Sequence, residues 1–356
     1  MDGNSIGYDK HIVILTPGFP ESEADHNCIP ALQGFVKELA VAIGADNITV
    51  LSFQYPFKNH FYKWNDVTVF SAGGNNKGGV FRIITIIKIA IEFIKIKRAK
   101  KKILIHSFWL TLTAAVGQWL GKLFSCKHIA SIMGQDALNS NFYLKYITRT
   151  TTVIANSNFV SDIYAENKKE KPAGIIPLGI QPLDYDLNDK IDEYFDIICC
   201  GSLTELKQYH LLPPFVLSLK SKFPTIKVGL IGEGPDREKL IKQIESYKLE
   251  ANIILFGNVV HRHVLSYLKS AKIFLHLSKY EASSHALLEA HYVGIPTVSF
   301  NVGMYETKGL TYRCSTIEEM EKTICELLMS DNVTKQNKTP LMKETVAEYL
   351  KYYESK

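Results

Sequence analysis

Short runs of apolar, mostly β-branched residues alternate along this chain with longer stretches in which apolar residues recur at helical spacing. The first run, residues 11–16 (HIVILT), stops at Pro17-Gly18, as a buried parallel strand and its tight exit loop do. Residues 31–43 (ALQGFVKELAVAI) place apolar side chains three and four apart, and residues 47–53 (NITVLSF) return to strand character, completing a βαβ unit. The pattern predicts further strands at 102–106, 128–133, 152–155 and 175–177 and a helix at 109–123. A second winding places strands at 195–201, 226–232, 252–257, 272–277 and 296–300, with helical stretches between them. Such alternation predicts an α/β fold with parallel sheets covered by helices on both faces, built as two Rossmann-like halves.

Residues 179–193 are polar, acidic and without strand or helix period, so the hinge is expected there. The expected domains are 1–180 and 181–339. Residues 340–353 open with a helix-start proline and space Leu341, Val346, Leu350 and Tyr353 along one face. That helix has to pack on something, and with residues 340–356 it is expected to return to the N-terminal domain.

Length supports this division, because 356 residues exceed the size at which one core keeps growing. The net charge of +5 is modest and the basic residues are mostly scattered, so nucleic-acid binding is not indicated. Lys95, Lys97, Arg98, Lys100, Lys101 and Lys102 are the exception, following an apolar stretch at 83–96 that Lys88 and Glu92 interrupt. It falls short of the roughly 20 apolar residues a membrane span needs. Its plain reading is a core-facing helix with a solvated lysine-rich end; its functional reading is a surface resting on anionic lipid headgroups. The six cysteines form no C-x-x-C pair, and residues 1–10 lack the pattern of a signal sequence. The expectation is a cytoplasmic protein with reduced thiols, peripheral on the inner face of the membrane if the lysine run meets lipid.

In open α/β sheets ligands bind beyond the carboxyl ends of the strands. Three loops of the second half are equipped for that. Gly201-Ser202 leads to Lys207, a cation at the expected start of the next helix. Gly232-Glu233-Gly234-Pro235 lets backbone approach a ligand closely. Ser278 to His285 leads into a helix whose N-terminal amides near Ser283 and Ser284 suit a diphosphate. Glu281 on that loop and Glu289 inside that helix can accept hydrogen bonds from vicinal hydroxyls at opposite ends of one ligand. A nucleotide sugar, with phosphates in the middle and hydroxylated rings on both sides, satisfies all three loops.

With Glu281 and Glu289 in an E-x7-E pattern, Gly232-x-Gly234-Pro235, Phe256-Gly257, Gly294-Ile295-Pro296-Thr297-Val298, Ala155-Asn156-Ser157 and Ile176-Pro177-Leu178-Gly179, the sequence resembles the retaining glycosyltransferases of family 4. The resemblance implies the GT-B fold, two Rossmann-like domains facing each other across a cleft. It implies a retaining, metal-independent transfer of a hexose-type sugar from a nucleoside-diphosphate sugar to a hydroxyl of a glycan or lipid-linked acceptor, in polysaccharide or envelope glycan synthesis, without a cofactor. Carried over residue by residue, it gives Glu289 the ribose hydroxyls, Glu281 the transferred sugar and Lys207 the diphosphate leaving group. Backbone at Ser284, His285 and Ala286 would cradle the phosphates, beside Ser283. His106 matches the family's active-site histidine, and Gly18 lies in the first loop approaching the donor. The frequent His-Gly-x-Asp appears as Met133-Gly134-Gln135-Asp136, which keeps Asp136, and Ser202 stands where members often have arginine.

Asp184-Tyr185-Asp186 forms a D-x-D, but in the expected hinge rather than beyond a strand, so no metal site is expected. The aromatic run at 53–57, with Phe61, Tyr62 and Trp64, reads as a loop packed on the core or as an acceptor-facing surface. A dinucleotide-dependent oxidoreductase would need a third glycine that neither Gly18 nor the 232–235 loop supplies. A catalytically silent relative with a binding role only is the remaining alternative, motivated by Ser202.

Overall fold

The computed structural model describes residues 8–26, 28–182, 191–303, 310–330 and 339–355. It divides into two compact units, one formed by the residues up to Gly179 together with those from Leu341 onward, the other by Ile180–Pro340. The D-x-D at 184–186 lies outside the described residues.

In the first unit, strands β1 (His11–Gly18), β2 (Ile48–Tyr55), β3 (His60–Trp64), β4 (Val67–Ser71), β5 (Ile103–Phe108), β6 (Lys127–Ser131), β7 (Thr151–Ala155) and β8 (Gly174–Ile175) form one sheet in the order β3-β4-β2-β1-β5-β6-β7-β8. All neighbours are parallel except the β3–β4 hairpin. Helices α1 (Pro30–Ile43), α2 (Val80–Ala99), α3 (Leu112–Phe124) and α4 (Asn158–Lys168) make the connections. Pro30 opens α1, where its missing N–H costs nothing, and the Ser157 side chain caps α4 by accepting the Val160 N–H.

Two expectations change here. Most of the aromatic run is strand: Phe53 and Tyr55 end β2, and Phe61, Tyr62 and Trp64 belong to β3, while Pro56 and Phe57 lie in the bend between them. Trp64 is buried, edge-on to Phe19, whereas Phe57 and Phe61 are exposed. Trp64 therefore belongs to the core. Nor is α2 core-facing over most of its surface: only Thr85, Ile89 and Phe93 are buried, while Val80, Phe81, Ile83, Ile84, Ile87 and Ile91 are 42–69% exposed. No helix among the described residues is long and apolar enough to cross a membrane.

In the second unit, strands β9 (Phe195–Cys200), β10 (Val228–Ile231), β11 (Ile253–Gly257), β12 (Ala271–His276), β13 (Thr297–Phe300) and β14 (Thr311–Cys314) form an all-parallel sheet in the order β11-β10-β9-β12-β13-β14. It is covered by α5 (Leu212–Lys220), α6 (Arg237–Ser246), α7 (Val264–Lys269), α8 (His285–Val293) and α9 (Ile317–Met329). Apolar clusters lie on both faces of the sheet, one under α5, α6 and α9 and one under α7 and α8, which explains why strands such as β9 read as continuous apolar runs.

The last helix, α10 (Met342–Glu354), packs on the first unit against α1, as expected. It buries Met342, Val346, Tyr349 and Tyr353, and Glu344 caps its start by accepting the Leu341 N–H at 2.9 Å.

Candidate active site

The order of the second sheet reverses between β9 and β12: β10 and β11 lie on one side of β9, β12 to β14 on the other. Loops leaving the carboxyl ends of these two strands splay apart and leave a crevice, the usual ligand position in such sheets. The predicted chemistry collects there.

Lys207 comes from the loop after β9 and Glu281 from the loop after β12, and the two form an ion pair, with side chains 18% and 14% exposed. Lys207 closes the 3₁₀ turn Glu205–Lys207 rather than starting the next α-helix, which begins at Leu212. A backbone bond from Lys279 N–H to the Leu206 carbonyl, 2.9 Å, holds the two loops together. Beneath the pair lies His276, the last residue of β12 and fully buried, whose Nε2 is 3.2 Å from Glu281 Oε1. Burial lowers the His276 pKa and keeps it neutral, so Nε2–H donates to the carboxylate while Nδ1 is buried without a partner. Burial pushes the Glu281 carboxyl up, but the His276 hydrogen bond and the Lys207 charge outweigh it and hold its pKa at about 2. Glu281 is thus a locked carboxylate. Cys200, at the end of β9, is pushed up to about 12 by burial and by the Glu289 charge, with Lys207 opposing, so it stays a thiol.

Small residues let the loops approach. Gly232 has φ 142°, and a Cβ there would sit 1.9 Å from the Gly201 carbonyl oxygen; one at Gly234 would lie 2.3 Å from that of Leu203. The Leu203 N–H donates to the Glu233 carbonyl and the Asp236 N–H to that of Leu203, so the loops after β9 and β10 are stitched into one wall.

Helix α8 begins at this crevice. Its N-cap Ser284 is buried and makes no side-chain cap, and the first amides of a helix lack intrahelical acceptors, so the first turn of α8 sets the positive end of its dipole at the crevice. Ser283 is half-buried just before it, and Ser202 is exposed. One turn in, Glu289 is 3% exposed, and its Oε1 lies 2.8 Å from His261 Nε2 and 3.8 Å from His285 Nε2. His261 escapes a reading of the sequence because its partner is 28 residues away; only the His285–Glu289 spacing, one helical turn, is legible there.

The comparisons with known proteins agree with this geometry. Residues 186–335 match the family described as glycosyl transferases group 1. That match lies within the second unit, on the segment that carries the site. The GPI3 polypeptide of the phosphatidylinositol N-acetylglucosaminyltransferase of Saccharomyces cerevisiae is 27% identical over 187 residues, 49% of this chain and 41% of that protein. The 2-deoxystreptamine N-acetyl-D-glucosaminyltransferase of Niallia circulans is 28% identical over 107 residues, 30% of this chain and 28% of that protein. The aligned part thus spans less than half of either relative. Among solved structures, Anabaena HepE in complex with UDP and glucose superposes with a TM-score of 0.73 at 14% identity, covering 97% of this chain and 99% of that one. The fold is therefore GT-B.

The first unit holds three further residues singled out in the sequence. His106 is fully buried: Nδ1 meets the Tyr353 hydroxyl at 2.6 Å, Nε2 meets the Ser131 hydroxyl at 2.8 Å, and Phe35, Phe108 and Tyr349 surround the ring. Burial lowers its pKa to about 3. With both nitrogens engaged and no exposed surface, His106 anchors α10 on the sheet. Asp136 is also buried; its carboxylate accepts the N–H groups of Leu110, Met133 and Gly134, pinning the β5 and β6 exit loops to each other. Both oxygens are used in this backbone clamp. Gly18 ends β1 beside Tyr55, and a Cβ there would make only ordinary contacts, so nothing requires glycine at that position.

Proposed function

We propose that this chain is a metal-independent, retaining glycosyltransferase that moves a sugar from a UDP-sugar to a hydroxyl of a glycan or lipid-linked acceptor. The observation that carries the reading is the convergence of Lys207, Glu281 and the uncapped start of α8 at the switch point of the second sheet, with Glu289 one turn deeper. A diphosphate seated on the α8 amides would meet Lys207, a charge balance supplied by protein groups. Glu281, held ionised by His276 and Lys207, faces the position of the transferred sugar, and Glu289 reaches the ribose. The names of the two relatives, both N-acetylglucosaminyltransferases, support an N-acetylhexosamine or hexose as the cargo, and the UDP in HepE supports uridine as the base.

A lipid-linked acceptor fits the exposed face of α2. Val80, Ile84, Ile87 and Ile91 line one side of the helix, and Arg98, Lys100 and Lys101 are exposed at its end, so an anionic bilayer would meet both apolar and basic groups. Part of the basic run is already neutralised, since Lys95 pairs with Glu92 and Lys102 with Asp9. The reading places the chain at the cytoplasmic face of the membrane where envelope glycans are assembled.

The test is calorimetric titration of UDP, GDP, ADP and NAD without added metal, on the wild type and Glu289→Gln. Losing a charged acceptor should weaken UDP about tenfold or more. Binding of NAD alone would sink the proposal.

A further inference from the structure

His261 lies in the 3₁₀ turn His261–His263 between β11 and α7, and His285 and Glu289 stand one turn apart on α8. Each offers one ligand atom, and the three atoms lie within 4.8 Å of one another. The imidazole rings are stacked, 5.9 Å between centroids and 28° between planes, both turned toward the same carboxylate oxygen. One imidazole is enough to hold a carboxylate; two together with the carboxylate make an N2O donor set. A divalent ion bonded at about 2.0–2.2 Å in tetrahedral geometry needs its ligand atoms about 3.3 Å apart. That lies between the 2.8 Å and 3.8 Å separations of the two imidazoles from Glu289, and the two imidazole nitrogens, within 4.8 Å of each other, would close onto the ion by side-chain rotation. Two imidazoles with one carboxylate suit zinc and its neighbours and do not suit magnesium or calcium, which take oxygen ligands.

We propose that His261, His285 and Glu289 form a site for a divalent transition cation of the zinc class, and that its occupation excludes the nucleotide donor. The two imidazoles and Glu289 supply three ligands, with water in the fourth position. The exclusion rests on the reading of Glu289 as the ribose acceptor: a carboxylate bound to metal cannot also receive two ribose hydroxyls. The ion is thus an inhibitor of the donor site and no part of the transfer.

The experiment titrates Co2+, as a spectroscopic probe, and then Zn2+ into the full chain and into His261→Gln and His285→Gln, with melting curves to verify folding. The expected result is one equivalent with a visible d–d spectrum lacking thiolate charge transfer, weakened at least tenfold in each folded variant. Wild-type affinity in either folded variant, or a thiolate spectrum, overturns the site. Should one variant not fold, the other decides. UDP is then titrated with and without one equivalent of Zn2+, both kept micromolar so that the diphosphate does not chelate the metal. UDP weakened at least tenfold by zinc, with zinc weakened equally by UDP, is expected from linkage. UDP binding indifferent to zinc overturns the exclusion. Failure of UDP to bind even without zinc overturns the donor reading instead, while the metal titration stands on its own.

Discussion

His276 Nε2 lies 3.2 Å from Glu281 Oε1, so a neutral imidazole at the floor of the crevice donates a hydrogen bond to the carboxylate that Lys207 caps from above. The depressed Glu281 pKa is a store of folding free energy. Its folded value of about 2 lies below the ordinary 4.5, so this contribution is complete above pH 4.5 and is lost as pH falls toward 2. Its size is on the order of 3 kcal/mol. Urea midpoints of the wild type and Glu281→Gln should differ most above pH 5, and the gap should begin to shrink below about pH 4.5. A gap that stays constant to pH 3 would mean that the carboxylate is not held by these partners.

Buried imidazoles elsewhere add acid sensitivity of the same sign, beginning at higher pH. His106 and His128 have pKa values lowered to about 3, and His11 and His291 to about 4, by burial. Unfolded, each takes up a proton near pH 6.5 that the folded chain refuses, so stability declines as pH drops below 6.5. Each contributes about 1.4 kcal/mol per pH unit until its folded pKa is reached. His128→Gln should flatten the decline between pH 6.5 and 5 by about one proton, measured by unfolding midpoints at each pH. An unchanged slope would exclude His128 as its source.

Gly232→Ala tests the wall between the loops. The new methyl would occupy the place of the Gly201 carbonyl at a backbone angle alanine avoids, which should cost about 3 kcal/mol or more and weaken UDP binding. A wild-type melting temperature would show that the loops yield without cost.

Tyr353→Phe removes the hydroxyl from His106 Nδ1, leaving a buried nitrogen without its partner. The expected loss is about 1–3 kcal/mol of stability, with kcat and KM of the folded enzyme unchanged. A fall in kcat without loss of stability would place His106 in the reaction.

For α2, Ile84→Asp combined with Ile87→Asp should abolish co-sedimentation with anionic vesicles and leave UDP binding unchanged. Binding that persists in the double variant would remove this face from the membrane reading.

The sequence by itself determined the two windings, the last helix and the second-half loops, because period, turn residues and strand-end position are local properties. The E-x7-E frame placed Glu281 before a helix and Glu289 inside it without any knowledge of their neighbours. What it missed was non-local. Whether a strand-end histidine faces a ligand or the core depends on what packs above it, and only the tertiary structure put Tyr353, 247 residues away, on His106. The aromatic run looked like a loop because strand β3 gains its pairing only from β4 and alternates exposed and buried residues. An apolar helix is buried in sequence logic, yet α2 exposes most of its apolar surface because the sheet contacts only the face carrying Thr85, Ile89 and Phe93. The pairing of His261 with Glu289, and of Lys207 with Glu281, is likewise fixed by where parallel strands end, a consequence of sheet order that no window of sequence contains.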